Sequence, residues 1–360
     1  MATTSENTAK NDYRFANRSR KPLLRSILAA LLAFGAMLGM SSLSACTKSS
    51  DGLPAAKPST LEIKDPPAWP LTGLPRADES PHPAVAVKIE NTAAARPQSG
   101  LESADIVFEE MVEGGLTRYN AIFHSNLPTE IGPVRSVRPM DPAIVAPFGA
   151  LLVYSGGLPV FKNRVAAAGV RGYNADDIDG ALYRVNFRRM PHNLYLSIPK
   201  FFEMVKVDGS PEPQPVFQFA APGEKSSAAS LGKPAAQLSA VFPAMHAQYT
   251  WTGSRWQRLD EGSASSSRAG TPLQTDNVVV IMTSAKPTGS RDIAGAAVME
   301  TVMVGSGDAY VASSGSVAKV KWAKDSEGSP IVLSTGTGDP VTLAPGTTWV
   351  ELLAGGTFTF

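Results

Sequence analysis

The stretch 84–139 restricts this chain most. It embeds Arg96, Arg118, Arg135 and Arg138, and the carboxylates Glu90, Asp105, Glu109, Glu110 and Glu113, among strand-forming apolar residues. Charged side chains are rarely buried unless paired, so a fold of this stretch must bring opposite charges together. Residues 106–112 and 116–124 read as strands, and Gly114-Gly115 between them supplies the positive φ of a two-residue hairpin turn. With that turn, period-two alternation predicts a core face of Ile106, Phe108, Val112, Tyr119, Ala121 and Phe123. Glu109, Glu113, Arg118, Asn120 and His124 fall on the opposite, polar face. Met111 then opposes Arg118, whose long side chain reaches diagonally toward Glu109 and Glu113.

The segment 131–139 follows, with Pro133 and Pro139 holding the backbone and Arg135 and Arg138 presenting two guanidinium forks suited to carboxylate or phosphate. Two readings stay open. The loop is an anion clamp, or each arginine is the partner of a hairpin carboxylate. His192 and Asn193, beside Pro191, add a group that can act as acid, base or anion ligand, or as a structural imidazole. The run 150–154 reads as a buried strand that enters Ser155-Gly156-Gly157 and a helix opened by Pro159, a geometry that can present backbone N–H groups to an anion. The candidate ligand-binding set is therefore Arg96, Arg118, Arg135, Arg138, Glu109, His192 and Asn193. No catalytic residue and no metal ligand is assigned.

Several motifs occur in one order: the run 87–96 continuing as IENTAAARPQSGL, then EGGLTR, GPVRSVRP and MPHNLY. Together they resemble the YerB-like bacterial lipoproteins, over nearly all of the chain from about residue 70 onward. The resemblance implies two recurring domains and a cell-envelope location, and it brings no known activity and no catalytic residue.

The N-terminal region has basic residues up to Arg25, an apolar run 27–40, then Leu43-Ser44-Ala45-Cys46. That order is a secretory signal peptide ending in a lipoprotein cleavage pattern, and the apolar run is shorter than the ~20 residues of a transmembrane helix. Cys46, the one cysteine of the chain, is followed by a polar tether and is expected to carry lipid rather than to act as a nucleophile. Without residues 1–45, 27 basic and 30 acidic side chains remain, so the net charge is −3 and not the +1 of the whole chain. Nucleic-acid binding, which calls for a basic excess, is not expected.

The expected layout is a signal peptide at 1–45, a membrane tether at 46–68, a YerB-like N-terminal α/β domain at 69–207, a linker at 208–238 and a mostly-β C-terminal domain at 239–360. The fold class is α+β or α/β, with a mixed sheet and flanking helices followed by a smaller mostly-β domain. Asp176-Asp177-Ile178-Asp179-Gly180 lacks the ligand pattern of a calcium loop and reads as a turn. Trp251, Trp256, Trp322 and Trp349 are either core or a sugar-stacking surface. The functional expectation is a lipid-anchored extracytoplasmic protein that binds an anionic cell-envelope ligand in an arginine cleft, with no cofactor. The alternative is a phosphotransferase or phosphohydrolase acting on a lipid-linked pyrophosphate, with Mg2+ held by Glu90, Asp105 and Glu109.

Overall fold

In a computed structural model, residues 67–77, 81–207 and 210–360 are described. The expected signal peptide, Cys46 and the expected tether up to residue 66 lie outside the described residues. In chain order the principal strands of the first half are β1 (Val85–Glu90), β2 (Ile106–Met111), β3 (Thr117–Phe123), β4 (Leu151–Tyr154) and β5 (Gly172–Asn174). The second half supplies β6 (Lys233–Pro234), β7 (Gln237–Phe242), β8 (Met245–Trp251), β9 (Trp256–Asp260), β10 (Asn277–Thr283), β11 (Gly305–Ser313), β12 (Ser316–Lys324), β13 (Thr348–Ala354) and β14 (Thr357–Thr359). Among the described residues four α-helices, α1 (Asp141–Val145), α2 (Pro159–Ala167), α3 (Ile198–Met204) and α4 (Ser227–Leu231), complete the frame.

One long mixed sheet runs in the order β6-β12-β11-β10-β13-β2-β3-β1-β4-β5. Strand β13, from the C-terminal half, lies parallel to both β2 and β10, so the two halves share a single sheet. Each face of that sheet carries a core. Helices α1, α2 and α4 cover one face through Ile144, Val145, Phe161, Val165 and Ala228. A second sheet, in the order β9-β8-β7-β14, covers the other face together with α3, through Leu238, Tyr249, Trp256 and Phe201. The central strands are buried on both sides and read VAVKIE, IVFEEM and TWVELLA, whereas β7 and β8 alternate buried and outward residues.

The α+β class expected from the sequence is the observed one, with its larger helices in the first half and strands dominating the second. Helix α1 stops at Val145 because Pro147 follows within one turn, and its N-cap is Met140. Of the stretch 208–238, expected to connect the domains, α4 buries Ala228 and β6 pairs with β12. Trp256, Trp322 and Trp349 are buried and Trp251 is half-buried, so these indoles are core and not a sugar platform.

Val350 sits at the seam, opposite Phe108 on one side and Val279 on the other. Val350→Ala should cost about 1.5–3 kcal/mol and lower the protection of β1 and β11 amides together. Hydrogen exchange checks this, and loss of protection in one half alone would mean that the shared sheet does not unfold as a unit.

Candidate functional site

The hairpin of β2 and β3 closes through three residues, Glu113-Gly114-Gly115, with Val112 N–H donating to the Leu116 carbonyl. Gly114 and Gly115 take φ of 70° and 75°. The extra turn residue moves the register by one from that of a two-residue turn. Met111 therefore opposes Thr117, and Arg118 opposes Glu110 on β2 and Glu90 on β1. Glu109 turns to the other face of the sheet, so the expected Glu109–Arg118 neighbourhood does not form.

On the Arg118 face, alternation along β1 aligns Lys88 and Glu90 inward beneath the 131–139 loop. Lys88 is fully buried between Glu110 and Asp141, with Nζ 2.7 Å from Asp141 Oδ1. Burial pulls its pKa down to about 8, Asp141 opposes that fall, and Arg118 and Arg138 add to it. Asp141 also accepts from Asn120 Nδ2 at 2.9 Å and from the Arg138 N–H at 2.6 Å, which ties α1 to the sheet.

The loop itself is laid along β1 by two backbone bonds, from the Glu90 N–H to the Pro133 carbonyl and from the Arg135 N–H to the Lys88 carbonyl. Arg138 grips Glu113 with both ends of its fork, Nε to Oε1 at 2.6 Å and Nη2 to Oε2 at 2.7 Å. Arg135 Nη2 lies 3.1 Å from Glu90 Oε1, and its Nη1 donates to the Pro191 carbonyl. His192 Nδ1 sits 3.0 and 2.9 Å from the two Glu90 oxygens. Thus Glu90 gathers Arg135, His192 and the Thr92 hydroxyl.

Arg118 differs from its neighbours. Its Nη1 donates to the Ser136 carbonyl at 3.0 Å, and among the described residues it forms no ion pair. Burial pulls its pKa down to about 10, the like charges of Arg138 and Arg135 pull the same way, and Glu113 and Glu90 oppose them. Beside it the Ser136 hydroxyl donates to the Ser155 carbonyl, and Gly156 and Gly157 follow with φ of 76° and 142°. Gly157 packs so closely on Val137 that a Cβ would lie 2.6 Å from its Cγ1, which accounts for glycine there. Arg118, Arg135, Ser136 and the Ser155–Gly157 turn are all partly open to solvent.

Residues 71–210 match the family described as "Protein of unknown function (DUF3048) N-terminal domain", and residues 239–350 match its C-terminal domain. The chain belongs to the YerB-like family. It is 41% identical to the Bacillus subtilis protein named "Putative lipoprotein YerB" over 130 residues, 36% of this chain and 39% of that relative. The crystal structure of the YerB protein from Bacillus subtilis superposes with a TM-score of 0.69 at 26% identity, covering 81% of this chain and 99% of that one.

Other expected site residues of this YerB-like chain lie elsewhere. Asn193 is buried, accepting from Arg184 Nη1 and donating to the Val185 carbonyl, so it braces the 185–193 loop. Arg96 and Glu109 belong to a network on the opposite face, centred on Arg258. The fully buried Arg258 guanidinium holds Glu109 at 2.6 Å, Asp260 at 2.8 Å and Glu351 at 3.0 Å, and stacks 4.5 Å from the Trp349 ring centroid. Arg96 Nε donates to Asn91 Oδ1 and lies 3.6 Å from Asp260. Glu109 and Glu351 face each other in register on parallel strands. Burial, and then the Glu109 charge, push the Glu351 carboxyl well above its ordinary 4.5. Asp105 instead accepts from the backbone of His124 and Ser125. Glu90, Asp105 and Glu109 are therefore not assembled into one ligand set.

Arg258→Leu strands buried carboxylates and should cost about 3–5 kcal/mol, read by denaturant unfolding. The raised Glu351 carboxyl keeps its proton in the fold and loses it in the unfolded chain, so stability should fall as pH rises above 4.5. Glu351→Gln should flatten that decline in unfolding curves taken across the range, and an unchanged slope would place the proton elsewhere.

Proposed function

We propose that this chain is a lipid-anchored protein of the extracytoplasmic membrane face that binds a phosphate- or carboxylate-bearing envelope ligand through Arg118 and Arg135. The observation that carries the reading is Arg118. It is a guanidinium set on a strand, held by one carbonyl, crowded by two other arginines, and without a carboxylate partner among the described residues. An anion beside the partly exposed Arg118 and Arg135 would relieve that crowding with charge-assisted hydrogen bonds. Arg138 is locked on Glu113, and Glu90 with His192 holds Arg135 in place. The anchor rests on the Leu43-Ser44-Ala45-Cys46 pattern and on the name of the Bacillus subtilis relative.

Titration calorimetry with inorganic pyrophosphate tests the site. Arg118→Ala should weaken binding by about 1.5–3 kcal/mol with little change in melting temperature. Arg138→Ala, by contrast, should lower the melting temperature by leaving Glu113 without its partner. Unchanged affinity in a destabilised Arg118→Ala protein would show that Arg118 serves the fold alone.

A further inference from the structure

The titratable group beside the candidate anion site is His192, and its contacts fix where its protons sit. A carboxylate only accepts, so His192 Nδ1, at 3.0 and 2.9 Å from the two oxygens of the buried Glu90, carries a hydrogen. That sets the tautomer and leaves Nε2 to take or release the second proton. Nε2 makes no hydrogen bond among the described residues, and the His192 side chain is 26% exposed, so water reaches the ring.

The same carboxylate sets the imidazole beside the arginines. Arg135 Nη2 lies 3.1 Å from Glu90 Oε1, the oxygen that His192 Nδ1 also reaches, so the two nitrogens are within about 6 Å of each other. Arg135 Nη1 donates to the carbonyl of Pro191, the residue before His192, which keeps the two side by side. The Arg135 charge in turn acts on Arg118. On the loop of His192 itself, Arg188 is tied to the carbonyls of Ala94, Arg96 and Pro97, Arg184 donates to Asn193, and Arg189 is exposed.

The charges that β1–β3, the hairpin turn, α1 and the 131–139 loop bring together here cancel while His192 is neutral. Lys88, Arg118, Arg135 and Arg138 are the cations, and Glu90, Glu110, Glu113 and Asp141 the anions. A bound anion leaves this cluster net negative unless a proton enters with it, and His192 is the solvent-accessible group placed to take that proton. We propose that anion binding at Arg118 and Arg135 is coupled to protonation of His192, so that the site holds its ligand more tightly as pH falls. The coupling rests on the anion-binding reading of those two arginines. It is reciprocal: the proton adds positive field beside Arg135, and the anion makes the imidazole more basic. Lys88, pulled down to about 8 by burial, titrates above the range in which imidazole does.

The test is titration calorimetry of the whole chain with sulfate, whose own charge stays constant over the range used, at fixed ionic strength. Between about pH 7.5 and 5.5, where imidazole gains its proton, sulfate affinity should rise about threefold or more, within the roughly tenfold per pH unit that one linked proton allows. Buffers of different ionisation enthalpy should report proton uptake on binding. His192→Gln keeps an amide that can donate to Glu90, and its sulfate affinity should no longer change with pH. If that variant does not fold, the Cε1–H resonance of His192 in the native chain gives the same reading, its titration midpoint moving to higher pH when sulfate saturates the site. Sulfate binding that Arg118→Ala abolishes but that is independent of pH, or a pH dependence that survives in His192→Gln, would overturn the coupling and leave the anion site standing. No sulfate binding at any pH would overturn both.

Discussion

The contact on which the candidate site depends is the buried ammonium of Lys88 between Glu110 and Asp141. It joins β1, β2 and the start of α1 through groups that water does not reach. A buried charge lacking a partner costs several kcal/mol, so these three elements are held in one arrangement. Glu90 and Arg118, which flank Lys88 on β1 and β3, inherit their positions from it. The 131–139 loop is then pinned by Asp141 at one end and by backbone bonds to β1 at the other. A locally balanced set of charges thus leaves one partly exposed guanidinium, Arg118, without a carboxylate partner among the described residues.

The charges of the 84–139 stretch are distributed over both faces of the sheet. The Lys88 and Arg258 clusters, on opposite sides, each satisfy buried carboxylates within the protein. This separates arginines that serve the fold from those that face solvent. Arg138 and Arg258 are structural by their bidentate or multiple carboxylate bonds, Arg135 is shared between Glu90 and the surface, and Arg118 is the outlier.

Much of the strand pattern was legible because alternation and glycine-rich turns are local. The strand–Ser-Gly-Gly–helix unit and the strand-rich second half form as the residues suggest. What local pattern could not supply was long-range pairing. Nothing in TWVELLA says that it inserts between β2 and β10, and the Gly-Gly pair does not reveal whether its turn takes two residues or three. That single residue decided whether Glu109 or Glu110 joined Arg118. The missed network had a signal: in WQRLD, Arg258 and Asp260 share the face of the buried Trp256. In VAVKIE, Lys88 and Glu90 likewise share the face of Ala86.

The central claim is that Arg118 is a charge awaiting an anion. Crystals soaked in tungstate, a heavy tetrahedral oxyanion, test it directly by anomalous scattering. The expected peak lies with oxygens about 3 Å from the Arg118 guanidinium and within reach of Arg135. A peak confined to other surfaces, with Arg118 still bonded to the Ser136 carbonyl and nothing else, would contradict the account.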